Sequence, residues 1–228
     1  MLQGVKVVSF DADDTLWVNE SYFQEAEKEF CGLFSSTYTA EEVSTELFSV
    51  EMKNLAIYGY GIKAFTLSLI ETALRLDSEC SAHRVGQIIE LGRSLLEKPV
   101  VLLEGVVEAL EALKEKYWLI VATKGDLLDQ QRKLRKSGLE HYFHHVEIMS
   151  DKREEDYAAL IKHLDIKPEE FLMIGNSLKS DILPIVSLGG KGIHIPFHVT
   201  WQHEVVSEDV SNDSYYSLVS LAELKNLL

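Results

Sequence analysis

The chain has 228 residues, 46% of them hydrophobic, which is enough for one large domain or for a domain with a smaller insert. Its 37 acidic and 22 basic side chains give a formal net charge of −15, which argues against nucleic-acid and membrane-surface partners because it repels polyphosphate and anionic lipid. Cys31 and Cys80 lack zinc-ligand spacing, and neither a signal peptide nor a run of about 18 apolar residues is recognisable, so a cytoplasmic protein is expected.

The first predicted strand covers residues 5–10 and is followed by a long helical region. The run VKVVSF is short, rich in valine and bounded by Gly4 and Asp11, which is typical of a strand covered on both faces. No strand pattern follows between residues 18 and 99, where four helices are predicted at 19–34, 40–58, 62–76 and 81–97. The sequence therefore predicts an all-helical insert between the first and second strands.

The second half of the chain alternates between strand and helix patterns. Strands are predicted at 118–122, 146–149, 171–174 and 192–195, and helices at 104–116, 127–137, 154–164 and 180–188. This order predicts an α/β fold with a Rossmann-like parallel sheet, formed by residues 1–17 and 100–228, with the four-helix insert at 18–99. Residues 207–214 are predicted to form a surface loop before a short terminal helix at 221–228.

Acidic residues follow the first strand directly. Asp11, Asp13 and Thr15 form a DxDxT pattern, whose alternate carboxylates can converge on a metal ion and a phosphoryl group. Ligands of parallel sheets bind beyond the carboxyl ends of the strands, where this pattern lies. A purely structural interpretation also exists, because Asp-rich turns commonly end strands.

The second and third strands also end in polar residues. Thr123 closes the second strand and offers a hydroxyl to phosphate oxygens, although a threonine at a strand end is ordinary. Lys152, in SDKREEDY after the third strand, is a cation that can neutralise developing charge, or else a solvated lysine beside Glu154 and Glu155.

The fourth strand leads into GNSLKSD, where Asn176 and Asp181 offer oxygen ligands to a hard cation. The structural alternative is capping of the next helix by Asn176, Ser177 or Ser180, with Asp181 favoured by the helix dipole. Four polar signals at the ends of four successive strands favour a shared site far more strongly than any one of them does.

These motifs together resemble those of the haloacid dehalogenase superfamily of hydrolases. The matching stretches are DADDT at 11–15, Thr123 closing LIVAT, Lys152 in SDKREEDY, and GNSLKSD at 175–181. The resemblance covers essentially the whole chain, and the insert at 18–99 resembles the cap that this family carries after its first motif.

The resemblance implies a Mg²⁺-dependent phosphatase that acts on a small phosphorylated metabolite. Asp11 would attack phosphorus and form an aspartyl phosphate, while Asp13 would protonate the leaving oxygen and then activate water. The side chains of Asp11 and Asp181 and the backbone carbonyl of Asp13 would hold Mg²⁺, with Asn176 as a further ligand candidate. Thr123 and Lys152 would bind the phosphoryl oxygens.

Other activities remain as alternatives. A phosphomutase or a phosphonate hydrolase uses the same core motifs, and the latter needs a Schiff-base lysine, for which Lys53 and Lys63 are candidates. A 2-haloacid dehalogenase is disfavoured because that branch has no acid at the position of Asp13. Outside enzymes, a non-catalytic phospho-ligand-binding protein or a regulatory phosphoacceptor remains open, although receiver domains are about half this length.

Two residues depart from the family pattern. Asn176 stands where many relatives carry an acid, and Asp14 stands where glycine is common and receives no role. His194, His198 and His203 are interpreted as loop residues, because their spacing does not match a zinc site. In the insert, Tyr58, Tyr60 and Lys63 are candidates for substrate selection, and the two tyrosines are equally candidates for packing. The physiological substrate and the oligomeric state stay open.

Overall fold

The structure, a computed structural model, describes residues 3–206 and 215–226. The strands are β1 (Val7–Phe10), β2 (Trp118–Lys124), β3 (His145–Met149), β4 (Phe171–Gly175), β5 (Lys191–His194) and β6 (Tyr216–Ser217). The helices are α1 (Glu20–Gly32), α2 (Ala40–Tyr58), α3 (Ile62–Leu76), α4 (Ala82–Glu97), α5 (Val106–Leu113), α6 (Leu127–Ser137), α7 (Glu154–His163) and α8 (Leu183–Ser187).

All six strands form one parallel sheet in the order β3-β2-β1-β4-β5-β6. The strand β1 lies between β2 and β4, with Phe10 opposite Val121 on one side and Ile174 on the other. Parallel order puts the ends of these strands at one edge of the sheet. The predicted α/β fold with a parallel sheet is confirmed.

The sheet is covered on both faces because its central strands are apolar on both sides. Val8 and Phe10 belong to an apolar cluster with α5, whereas Val7 belongs to a second cluster with Tyr157 of α7 and Ile185 of α8. Successive side chains of a strand point to opposite faces, which is why the near-continuous apolar run at β1 fills two clusters.

Contacts divide the chain into two compact units. The α/β unit contains residues 1–20, 100–124 and 130–228, and the helical unit contains residues 21–99 together with 125–129. The helical unit has its own apolar core, with Phe30 of α1, Leu47 of α2, Leu69 of α3 and Ile88 of α4 fully or almost fully buried. None of the described helices is long and apolar enough to cross a bilayer.

The two ends of the helical insert lie close together. Within the helical unit, Lys98 Nζ lies 2.7 Å from Glu25 Oε2, and the same ammonium lies over the Tyr22 ring at 5.1 Å. Within the α/β unit, the backbone N–H of Val18 donates to the carbonyl of Val101 at 3.0 Å. The chain therefore enters and leaves the insert along paired segments.

The structure refines several predicted boundaries. The predicted helix at 180–188 is a π-helical turn, Leu178–Ile182, followed by α8, because Pro184 lacks an N–H and lies in the first turn of a new helix. The helix predicted at 104–116 begins after Gly105, whose φ of 81° is left-handed. The predicted terminal helix is a 3₁₀ helix, Leu221–Asn226, and the loop predicted at 207–214 lies outside the described residues.

Candidate active site

Asp11 lies at the carboxyl end of β1, where the chain leaves the sheet in a tight turn. Its N–H still donates to the carbonyl of Ile174 at 2.8 Å, while the N–H of Leu16 donates back to Ala12 at 2.8 Å. Asp11 is 7% exposed, and its Oδ2 accepts from the Thr15 hydroxyl at 3.3 Å. The turn thus fixes a nearly buried carboxylate in the middle of the sheet edge.

Lys152 joins the two buried carboxylates of the site. Its Nζ donates to Asp11 Oδ1 at 2.5 Å and to Asp181 Oδ1 at 2.6 Å, and its side chain is 1% exposed. The loop after β3 and the turn after β4 therefore meet at the end of β1. One ammonium between two carboxylates leaves this buried cluster with an excess negative charge.

Burial is the largest single influence on the pKa of both Asp11 and Lys152. It raises the pKa of Asp11 to about 7, where Lys152 acts to lower that pKa and Asp181 to raise it. Burial works in the opposite direction on Lys152, but the two carboxylates outweigh it and hold the pKa of the ammonium well above its ordinary value. Lys152 is therefore a permanent cation at the site.

Asp181 reaches the cluster because Gly175, the last residue of β4, has no side chain. A Cβ at Gly175 would collide with the Asp181 carboxylate, so only glycine allows this approach. The N–H of Ser177 donates to Asp181 Oδ2 at 2.9 Å, and the Ser177 hydroxyl accepts from the N–H of Ser180 at 3.0 Å. Capping by Ser177 and a site role for Asp181 thus coexist in one turn.

Asn176 lies among oxygen atoms. Its side-chain amide is 3.2 Å from the Asp13 carbonyl, 3.3 Å from Asp11 Oδ2 and 3.3 Å from the Thr15 hydroxyl, and it satisfies all three when its nitrogen faces them. In that orientation the amide N–H group donates to these oxygens, which a cation could otherwise bind. Oxygen atoms that converge on one donor are the ligand type that a hard cation such as Mg²⁺ prefers, so the residues present fit this metal.

This set differs from a metal site made only of side chains. Among residues 3–206 and 215–226, no group of three or more His, Cys, Asp or Glu side chains is arranged to hold a metal. The set implied for Mg²⁺ has two carboxylates, from Asp11 and Asp181, and one backbone carbonyl, from Asp13. A site of this kind contains only two ionisable ligand side chains.

Asp13 accepts hydrogen bonds from residues that belong to none of the predicted motifs. Its Oδ1 accepts from the indole of Trp17 at 2.7 Å and from Lys133 Nζ at 2.6 Å, and its Oδ2 accepts from Gln130 at 3.2 Å. Gln130 also donates to the Thr123 hydroxyl at 2.7 Å, which joins the ends of β1 and β2. Gln130 and Lys133 are three residues apart on α6, a spacing that places them on one helix face.

Asp14 has a structural role. Its φ of 62° is left-handed, which explains why glycine suits this position. Its carboxylate accepts from the N–H groups of Asn19 at 2.8 Å and Glu20 at 2.9 Å, at the start of α1. Asp14 therefore caps the first helix of the insert.

The remaining candidates lie apart from this cluster of carboxylates. His194 contacts the Asn176 carbonyl at 3.0 Å through Nε2, and the His203 carbonyl accepts from Lys179 at 2.6 Å. In the helical unit, Lys63 pairs with Asp126 at 2.9 Å. His194 was predicted as a loop residue but is the last residue of β5, where its ring forms a hydrogen bond, whereas His203 takes part through its backbone carbonyl.

Comparison with known proteins gives a consistent family. A family model described as haloacid dehalogenase-like hydrolase matches residues 5–189. A haloacid dehalogenase-like family hydrolase from Xanthomonas campestris is 36% identical, with a TM-score of 0.87 over 98% of this chain and 90% of that chain.

Two further relatives are more distant. The N-acylneuraminate-9-phosphatase of Homo sapiens is 25% identical over all of this chain and 95% of that protein. The HAD-hydrolase YfnB from Bacillus subtilis, whose structure is bound to magnesium, is 18% identical, with a TM-score of 0.66 over 98% of each chain, and supports the fold alone.

The matched region includes all four strand-end motifs, and the 36% identical relative extends over almost the whole chain. The predicted superfamily and the prediction of an enzyme are therefore confirmed. The chain belongs to the haloacid dehalogenase-like hydrolase family.

Proposed function

We propose that the protein is a Mg²⁺-dependent phosphatase that hydrolyses a small phosphorylated metabolite through an aspartyl phosphate. The observation that carries the proposal is the presence of two carboxylates in different settings at the end of β1. Asp11 is buried against Lys152, whereas Asp13 is partly exposed and held by Trp17, Gln130 and Lys133. Phosphoryl transfer by this route needs one nucleophile and one separate acid and base.

Asp11 is the proposed nucleophile. Its carboxylate oxygen forms a bond to phosphorus while the bond from phosphorus to the leaving oxygen breaks, and Asp13 gives its proton to that oxygen. Asp13 then takes a proton from water as the water oxygen attacks the aspartyl phosphate. The bond from phosphorus to Asp11 breaks, which releases inorganic phosphate and restores the Asp11 carboxylate and the protonated form of Asp13.

The other residues bind and orient the phosphoryl group. Lys152 carries the charge that offsets the negative phosphoryl oxygens, and the Thr123 hydroxyl is held by Gln130 at 2.7 Å for the same purpose. Asp11, Asp181 and the Asp13 carbonyl would hold Mg²⁺, which lowers the repulsion between the carboxylates and a phosphate dianion. Asn176 is a further ligand candidate through its amide oxygen, which would face the metal only after the amide turned from the orientation that donates to Asp11 and Asp13.

The choice of a phosphatase rests on Asp13 and on one relative. The human relative at 25% identity is an N-acylneuraminate-9-phosphatase. A phosphonate hydrolase is less well supported, because Lys53 and Lys63 are both exposed in the structure, whereas Schiff-base lysines are desolvated or placed beside another cation.

We further propose that residues 18–99 are a cap domain that excludes polymeric substrates. We also propose that the protein acts in the cytoplasm without nucleic-acid or membrane partners.

The test is phosphate release from an aryl phosphate, with Mg²⁺ and with a chelator. We expect metal-dependent turnover by the native protein, and a loss of at least about 1,000-fold in Asp11→Asn, since the amide is not a nucleophile. Asp165→Asn is the matched control, because Asp165 is exposed and its φ of 54° suits asparagine. Turnover that survives chelation, or survives Asp11→Asn, would contradict the proposal.

A further inference from the structure

A buried glutamate holds the turn that carries Asp181. Glu204 comes from the segment after β5, and its Oε2 accepts from the Ser177 hydroxyl at 2.6 Å and from the Ser180 hydroxyl at 2.5 Å. These serines lie at the start of the π-helical turn, on either side of Leu178 and Lys179. One carboxylate oxygen therefore ties two points of the turn together.

The same glutamate is paired with a lysine from another strand. Lys124, the last residue of β2, donates through Nζ to Glu204 Oε1 at 2.6 Å and to the Ser180 hydroxyl at 2.8 Å. The strand β1 lies between β2 and β4 in the sheet. The ion pair thus links segments from both sides of β1, the strand that Asp11 directly follows.

The pair is shielded from solvent. The side chains of Lys124 and Glu204 are 14% and 12% exposed. Burial raises the pKa of Glu204, but Lys124 and the hydrogen bonds from the two serines more than offset it and hold the pKa at about 2. A buried pair with its hydrogen bonds satisfied has a defined geometry, whereas an exposed pair exchanges between conformations.

A single residue, Ser177, connects the Lys124–Glu204 pair to the carboxylate cluster. The Ser177 hydroxyl donates to Glu204, and the N–H of the same residue donates to Asp181 Oδ2 at 2.9 Å. The other oxygen of Asp181 accepts from Lys152 at 2.6 Å. Glu204 thus contacts neither the carboxylates nor Lys152, but it holds the residue that orients Asp181.

We propose that Glu204 and Lys124 are positioning residues, which fix the turn at 176–182 and thereby set the affinity of the site for its divalent cation. Outer partners of metal ligands restrict the orientation of those ligands, and their loss typically weakens metal binding by about 10- to 100-fold. This inference rests on the proposed function for its metal, but its structural part, the ordering of the turn, is independent of any activity.

The experiment compares Glu204→Gln and Lys124→Met with the native protein. Glu170→Gln is the matched control, because Glu170 pairs with Lys6 at 2.6 Å directly before β4, at the opposite end of that strand. Three quantities are measured: amide hydrogen exchange of residues 176–182, the dissociation constant for Mg²⁺ by calorimetry, and kcat and KM for an aryl phosphate as Mg²⁺ is varied.

In both variants we expect exchange at 176–182 to increase about tenfold or more while α6 stays protected, and the Mg²⁺ dissociation constant to rise about tenfold or more. Saturating Mg²⁺ restores most of kcat, with KM for the aryl phosphate little changed. The control matches the native protein in all three. A general loss of stability would instead raise exchange throughout the α/β unit.

Unchanged exchange and unchanged Mg²⁺ affinity in both variants would overturn the proposal, as would an increase in exchange spread over the whole α/β unit. If the native protein neither turns over nor binds Mg²⁺, the proposed function fails instead. In that case exchange at 176–182 still decides whether Glu204 and Lys124 position the turn.

Discussion

The α/β unit and residues 21–99 bury polar groups in different ways. Within the α/β unit, the side chains of Asp11, Lys152 and Asp181 are all less than one-tenth exposed and lie in direct contact. Within residues 21–99, the buried polar side chains are the neutral Asn54 and two hydroxyls, Ser68 and Thr72, and each has a hydrogen-bond partner on α2 or α3.

The contrast distinguishes neutral polar groups, which are buried as part of packing, from charged groups, whose burial needs another explanation. A neutral amide or hydroxyl can be buried at little cost when it is hydrogen bonded. Buried charges are costly, and replacing a buried ion pair with apolar residues is often neutral or stabilising. We infer that the α/β unit keeps its charges for chemistry, since packing alone would be served by apolar residues.

The largest effect is expected from Lys152→Met. The substitution leaves two carboxylates buried without their cation, and we expect the free energy of unfolding to fall by about 3 kcal/mol or more. Turnover of an aryl phosphate should fall by at least about 1,000-fold.

Tryptophan fluorescence during denaturation is the suitable measurement, because Trp17, Trp118 and Trp201 all lie in the α/β unit. Far-UV circular dichroism follows the helices of both units, so a difference between the two curves shows which unit is weakened. Lys162→Met, at an exposed position of α7, is the control. Equal stability of Lys152→Met and the control would show that the buried cluster needs no cation.

A smaller effect is expected from Lys133→Met. Lys133 donates to both oxygens of Asp13 at 2.6 and 2.8 Å and to Asn19 at 3.1 Å. A hydrogen bond to a charged group contributes about 1.5–3 kcal/mol, so we expect kcat to fall by about 10- to 100-fold. Because the Lys133 side chain is partly exposed, stability should change by less than about 1 kcal/mol.

The measurement is kcat and KM for two phosphate esters whose leaving groups differ in acidity. The loss should be greater for the poorer leaving group, since protonation by Asp13 matters more there. Lys133→Arg should recover part of the activity, and Lys136→Met, on an exposed part of the same helix, should behave as the native protein. An equal loss for both esters would argue against a role through Asp13.

The smallest effect concerns the one strongly shifted acid of the helical insert. Burial raises the pKa of Glu51 to about 7, and the nearby Glu27 adds to the shift. The folded state therefore holds this proton more tightly than the unfolded chain, so the stabilising contribution is complete below about pH 4.5 and is lost as the pH rises through about 7.

Glu51→Gln removes this dependence. Across that pH range, native stability should decrease by about 1–2 kcal/mol relative to the variant, after allowance for partial exposure. Denaturation followed by circular dichroism at several pH values measures it. Glu79→Gln, at an exposed loop position, should keep the native pH dependence. Parallel pH profiles of Glu51→Gln and the native protein would refute the assignment.

Much of the fold could be predicted because its signals are local. The helices at Ala40–Tyr58, Ile62–Leu76 and Leu127–Ser137 have the predicted ends, and the five predicted strands agree with observed strands to within two residues at each end. The short strand β6 was missed, because a two-residue strand carries too little periodicity to detect.

The residues around the site were predictable only where they lie in a motif at or shortly after the end of a strand. Asp11, Asp13, Thr123, Lys152 and Asp181 lie on motifs at strand ends, and the structure brings them to one edge of the sheet. Lys133 and Glu204 were missed because their contacts with Asp13 and Ser177 join distant parts of the sequence. Local sequence patterns do not indicate which distant residues will be in contact. The alternation of strand and helix patterns predicts only the order of the strands.

The paired segments at the two ends of the insert have a consequence for folding. The strand β1 must pair with β2, which lies beyond the whole insert in sequence, and closing a long flexible loop costs entropy and slows folding. The contact between Glu25 and Lys98 brings the ends of the insert together within its own unit. If the insert folds first, the segment between β1 and β2 behaves as a short loop and not as a long flexible one. Early folding of the helical insert would then lower the entropy cost of pairing these two central strands.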